Sequence, residues 1–165
     1  MLAAGSEVVP LDVTQAVMDG ESAAIAAWAD RHQWSIDSAS DGSALIARAS
    51  HPVTGNHVDF HADLTGYPAV PPAWTCQDEA GASGSRAYPA PGTTPAITGS
   101  IFHTLPVICA PWNRLAYVVH NGPHSDWGAP TEWKTAGPSY TQAHTIADML
   151  AALRLHLLVS PGMQP

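Results

Sequence analysis

The sequence predicts an α+β fold: an N-terminal helix, an antiparallel β-meander of about four strands, long loops and a C-terminal helix. Three observations carry this. Apolar residues recur at helical spacing near both ends, short alternating runs bounded by turn residues lie between them, and the strand–helix–strand alternation of a parallel nucleotide-binding sheet is absent.

The first helix is expected over Leu11 to Trp34, with Asp12 as its N-cap and Val13, Val17, Ala24, Ile25, Trp28 and Ala29 largely on one face. Gly20 weakens its middle. Ser35 to Ser40 and Ala44 to Ala49 flank Asp41-Gly42, a hairpin turn signature. After a second turn at His51 to Asn56, Val58, Phe60, Ala62 and Leu64 alternate with Asp59, His61 and Asp63, as a half-buried strand requires. The prolines of Tyr67 to Pro72 enforce an extended, turning segment, and Ala73 to Gln77 follows as a short strand. Asp78 to Gly99 lacks periodicity and is expected to be a flexible loop. The apolar run Ser100 to Cys109 leads to Ala110-Pro-Trp-Asn-Arg114, Leu115 to His120 is a candidate strand, and Asn121 to Pro138 is irregular and rich in Gly, Pro and Trp. The last helix is expected to carry Ile146, Met149, Leu150, Leu153, Leu157 and Leu158 on its apolar face, with a capping-box spacing at Ser139 and Gln142 and a stop at Ser160-Pro161-Gly162.

With 165 residues and 45% hydrophobic content, the chain suits one domain over residues 1–165 with a real core. Charge is scarce. Only 12% of residues are Asp, Glu, Lys or Arg, and 14 acids against 6 bases leave a net charge of −8, which disfavours nucleic acid and anionic membranes as partners. The N-terminus Met1 to Glu7 lacks the basic and apolar regions of a signal peptide, and no window reaches a membrane-spanning length, so a soluble cytoplasmic protein is expected. Two cysteines, Cys76 and Cys109, are too few for a disulfide framework.

Phosphate-binding glycine loops and a serine nucleophile elbow are absent, and no cofactor is expected. Cys109 is the most informative candidate, because it ends an apolar run before Pro111 and so sits where a buried element emerges into a loop. His103, Asn113, Arg114, His120, His124 and Asp126 lie near it in sequence and have the chemistry to tune a thiol, steady an oxyanion or accept a proton. Taken alone, a free cysteine is more often a buried small hydrophobe. Cys109, His120, His124 and Asp126 are also zinc-ligand types, but Gly122 and Pro123 break any helical His-x-x-x-His pair and no Cys-x-x-Cys accompanies them, so no metal is assigned. His57, His61, His144 and His156 read as polar-face or satisfied groups.

Several segments occur in a recognisable order: Val58 to Leu64, Tyr67-Pro68 with Pro71-Pro72 and Trp74, Ile101-Phe-His103, Val107-Ile-Cys109, and Thr145 to Leu153 running to Ser160-Pro161. In this order the chain resembles the ubiquitin-conjugating enzyme (UBC-like) fold, including its divergent prokaryotic members. The resemblance implies that Cys109 receives the C-terminus of a ubiquitin-like modifier from an activating enzyme as a thioester and passes it to an amine. It departs from the family in three places. The family's His-Pro-Asn motif is replaced by His103-Thr104-Leu105, which lacks the asparagine; Asn113 or Asn121 is the candidate substitute, with His120, His124 or Asp126 assisting the incoming amine. The stretch between Cys109 and Tyr140 is a long insertion, and the first helix is acidic where family members carry basic residues for the activating enzyme. The alternative within the same fold is a non-catalytic binding module in which Cys109 is structural.

Overall fold

The computed structural model describes residues 9–165; the reading of Met1 to Glu7 as lacking a signal peptide lies outside them. Helix α1 spans Leu11–His32 and ends where Gln33 adopts a left-handed conformation. Its N-cap is Pro10 and not Asp12, which lies in the first turn where its carboxylate favours the positive end of the helix dipole. The buried stripe is Thr14, Met18, Ile25 and Ala29, with Val17 and Trp28 beside it. Val13 and Ala24, expected on that face, are exposed. The polar Thr14 earns its place inside by donating its hydroxyl to the Tyr67 carbonyl at 2.7 Å.

Four strands follow: β1 (Ser35–Ser38), β2 (Ala44–Ser50), β3 (His57–Asp63) and β4 (Ala73–Gln77). They form one antiparallel sheet in sequence order. Phe60 pairs with Ala47 on one side and Cys76 on the other, and Ala62 with Leu45 and Trp74. This register collects the buried apolar residues on one face, as the alternation along β3 predicts. The opposite face is polar, with Arg48 reaching both Asp37 and Asp59.

Helix α2 (Ile146–Val159) buries Ile146, Met149, Leu150, Leu153 and Leu157, whereas Leu158 is exposed. Its capping box is formed by Thr145 and Asp148. The Ser139–Gln142 spacing marks only a short 3-10 turn at Ser139–Thr141, because Pro138 and the extended Gln142 bracket it. Both helices are tied to the strand-following segment by Glu21, whose carboxylate accepts from the Tyr67 hydroxyl at 2.6 Å and from the Ile146 amide at 2.7 Å. An aromatic series, Trp28, Trp34, Phe60 and Phe102, crosses the core at centroid spacings of 5.1, 5.4 and 6.2 Å.

Two loop expectations change. The tract from 78 to 99 is partly anchored: Ala87 and Tyr88 are buried and the Ala90 amide donates to Gly162. The candidate strand over Leu115 to His120 is instead a pair of 3-10 turns, Arg114–Ala116 and Val118–His120, with Val118 and Val119 exposed. The Arg114 amide donates to the Pro72 carbonyl just before β4, but Ala116, Tyr117, His120 and Asn121 donate back to carbonyls of this same stretch, so it adds no further strand. No helix among the described residues is long and apolar enough to cross a membrane.

Candidate active site

Cys109 is held by its backbone. Its amide donates to the Ile101 carbonyl at 2.7 Å, and Phe102 bridges Ile108, so the segment runs back along the end of the apolar run that precedes it. Ile108 and Ala110 are buried on either side, while Cys109 itself is half-buried. A thiol on this anchored turn emerges from the core without leaving it.

The loop after Cys109 returns to that thiol. After the Arg114–Ala116 turn, the amides of His120 and Gly122 both donate to the Tyr117 carbonyl at 2.9 Å, and the His124 amide donates to Ala116 at 3.0 Å. Asn121 takes a left-handed conformation at φ 61°, and Gly122 passes so close to the preceding turn that a Cβ there would sit 2.1 Å from the Ala116 carbonyl carbon. Only glycine fits.

The result is a chain of three side chains. The Sγ of Cys109 lies 2.8 Å from Nε2 of His124, and Nδ1 of His124 lies 3.0 Å from Oδ1 of Asp126. The hydrogen bond from His124 holds the Asp126 carboxyl below its ordinary range. An ionised carboxylate only accepts, so His124 Nδ1 carries the proton and Nε2 presents its lone pair to the thiol. Burial, followed by the negative charge of Asp126, pushes the Cys109 thiol up to about 11. At rest Cys109 is therefore a neutral thiol that meets the ring nitrogen carrying the lone pair, an arrangement with the geometry for proton transfer from sulfur to Nε2.

The imidazole of His124 is stacked face to face on the indole of Trp127, with centroids 3.5 Å apart and planes 3° from parallel. Tyr117 meets Trp127 edge-on at 5.5 Å, and its own hydroxyl is fixed to the Pro111 carbonyl at 2.8 Å. Farther along the insertion, Trp133 is buried and donates its Nε1–H to the Pro68 carbonyl, which pins the segment to the proline-rich turn before β4.

The other residues singled out from the sequence separate into distinct places. His103 is close enough to His124 for their charges to oppose, and burial first, then His124, lowers its pKa, which leaves it neutral near pH 7. Asn113 is fully buried and its carboxamide is saturated: Oδ1 accepts from the amides of Trp74 and Leu115, and Nδ2 donates to the carbonyls of Trp74 and Ile108. It has no donor left for an oxyanion, so its expected substitution for the family asparagine is replaced by a bracing role. His120 is exposed at the end of its turn. Arg114 pairs with Asp63 and donates to the Thr65 carbonyl, away from the thiol.

The zinc-ligand types do not converge. Asp126 faces the imidazole nitrogen opposite the one that meets sulfur, and among the described residues no group of three or more His, Cys, Asp or Glu is arranged to hold a metal ion. Trp127 was not singled out from the sequence; the Trp-rich composition of the insertion was its only signal. In comparisons with known proteins, the chain matches no family model, no curated protein and no solved structure.

Proposed function

We propose that the protein is a cysteine-dependent acyl transferase of the ubiquitin-conjugating type, with a UBC-like fold, in which Cys109 carries a ubiquitin-like modifier as a thioester. The single observation behind this reading is the chain Cys109–His124–Asp126, with contacts of 2.8 and 3.0 Å. A structural cysteine needs no oriented base, whereas a thiol raised to about 11 needs one to act near neutral pH. The substrate class rests on the sequence resemblance.

In loading, His124 Nε2 takes the Cys109 proton as Sγ attacks the carbonyl carbon of the modifier, itself held as a thioester on the activating enzyme. A new S–C bond forms, the old one breaks, and the departing thiolate takes back a proton from Nε2. In transfer, an acceptor amine attacks the Cys109 thioester and loses its proton to the same Nε2. The amide forms, and Cys109 leaves as a thiolate that recovers the proton. His103, neutral and half-buried, is the proposed donor to the tetrahedral oxyanion in both steps.

The test uses the activating enzyme and modifier native to the same cell. Incubation with ATP is expected to give an adduct reducible by dithiothreitol, lost in Cys109→Ala and converted to a stable ester in Cys109→Ser. Absence of any adduct with an activating enzyme that charges itself sinks the reading in favour of a non-catalytic module.

A further inference from the structure

The stack of His124 on Trp127 has a geometry that suits one protonation state better than the other. A centroid separation of 3.5 Å between planes 3° from parallel leaves almost no lateral offset. Two neutral aromatic rings in that position oppose their quadrupoles and prefer to slide apart or tilt. An imidazolium over the same indole face is attracted to it, and tryptophan has the strongest face for a cation. The arrangement is therefore poorly matched to the resting ring and well matched to the ring that has just taken a proton.

We propose that Trp127 is a positioning residue for the Cys109 reaction, which holds the His124 ring in line with the thiol and stabilises its imidazolium through the indole face. The inference rests on the reading of Cys109 as a nucleophile. It adds a third constraint to His124: Cys109 meets Nε2, Asp126 meets Nδ1, and Trp127 covers one face. His103, the other titratable group beside the ring, opposes the cation when it is itself charged. Trp127 is braced in turn by the edge of Tyr117, and Gly137 runs so close that a Cβ there would lie 3.4 Å from the indole nitrogen. Such bracing keeps the platform in place while the charge on His124 comes and goes. Because the stack acts on the imidazolium and not on the thiol directly, its effect must vanish when His124 is absent.

The experiment is alkylation of the full chain by iodoacetamide at pH 8, which needs no modifier and no activating enzyme. Trp127→Leu is expected to slow Cys109 alkylation about 3- to 10-fold, the effect of losing a cation–π contact of ordinary strength. Trp127→Phe, which keeps an aromatic face, should stay within about twofold of the native rate. In a His124→Ala background, Trp127→Leu should change nothing further. Equal slowing with and without His124, no slowing at all, or a Trp127→Phe rate as low as that of Trp127→Leu would each overturn the proposal. Fluorescence provides a second measurement that does not depend on the leucine variant. The emission lost in Trp127→Phe should be quenched on acidification in the native protein and insensitive to acid in His124→Ala; an acid response that persists without His124 also overturns it. A missing thioester in the conjugation assay sinks the transfer reading alone, since these rates are measured without a modifier.

Discussion

The side chain of Asn113 pairs with both backbone polar groups of Trp74: Oδ1 accepts from the Trp74 amide at 2.9 Å and Nδ2 donates to the Trp74 carbonyl at 3.2 Å. A carboxamide here does what a neighbouring strand does, because it offers a donor and an acceptor side by side. It closes the free edge of β4 at Trp74 and, through the Ile108 carbonyl at 2.8 Å, ties that edge to the segment bearing Cys109.

Replacing Asn113 by Ala therefore leaves buried amide and carbonyl groups on two segments without partners. Each unpaired buried group costs about 1–3 kcal/mol, so a loss of about 2–4 kcal/mol is expected after partial relaxation. The urea midpoint should fall accordingly. A loss under about 1 kcal/mol together with a large drop in transfer rate would contradict the bracing role and return Asn113 to the chemistry.

In the proposed reaction, Asp126 acts through the tautomer of His124. With Asp126→Asn the side chain can donate to Nδ1, which moves the ring proton to Nε2 and turns that nitrogen away from its role as acceptor. Because Asp126 is exposed, water competes for Nδ1 and softens the effect. Discharge of a Cys109 thioester to free lysine should slow about 10- to 100-fold, with the unfolding midpoint nearly unchanged. Discharge at the native rate would remove Asp126 from the mechanism.

The raised Cys109 thiol also makes stability depend on pH. Folding lifts its pKa from 9.0 to about 11, so the folded chain keeps a proton that the unfolded chain gives up between those values. Unfolding then releases protons, and the stability contribution is complete below about pH 9 and is lost as pH rises toward about 11. Tyr117, lifted from 10.0 to about 12 by burial, adds the same sign at slightly higher pH. For a half-exposed thiol the Cys109 share is on the order of 1 kcal/mol. Comparing urea midpoints at pH 8.5 and 10.5, the decline should be smaller in Cys109→Ser than in the native protein, and parallel declines would refute the assignment.

Glu21 shows how a fold can depend on a residue that no sequence pattern marks. Its carboxylate receives the Tyr67 hydroxyl and the first amide of α2, where the helix dipole favours a negative charge. Glu21→Ala should lower stability by about 2–3 kcal/mol while Cys109 alkylation at pH 8 keeps its rate. A reactivity change larger than the stability change would mean that α1 steers the site.

What the sequence disclosed follows from how local each signal is. The alternation Val58, Phe60, Ala62 and Leu64 and the Asp41-Gly42 turn are short-range, and the four strands lie where these patterns put them. Helix ends were less legible. Asp12 and Ser139 both satisfy capping preferences, yet α1 starts at Pro10 with no side-chain cap, and α2 starts at Thr145, which forms a capping box with Asp148 and precedes the Ile146 amide held by Glu21. In the site, Cys109, His124 and Asp126 were readable as residue types, but their order as a chain depends on a loop that reverses at Asn121-Gly122 and carries no periodicity. Trp127 was hidden for the same reason: a stacking partner is defined by ring orientation, which composition does not encode.

That reversal gives the sharpest separation of fold from site. A Cβ at Gly122 would lie 2.1 Å from the Ala116 carbonyl carbon and 2.4 Å from the Leu115 oxygen, both backbone atoms that cannot rotate aside. Gly122→Ala must therefore push the loop off the preceding turn and break the hydrogen bond from the His124 amide to Ala116. The turn itself is exposed at His120 and Asn121, although Tyr117 and Trp133 of the same loop belong to the core, so the unfolding midpoint should fall by about 1–3 kcal/mol. Cys109 alkylation at pH 8 should instead drop to the level of His124→Ala, because a thiol raised to about 11 has lost its base. If Gly122→Ala keeps the native alkylation rate, His124 is not delivered by this turn and the three-residue chain does not govern the thiol.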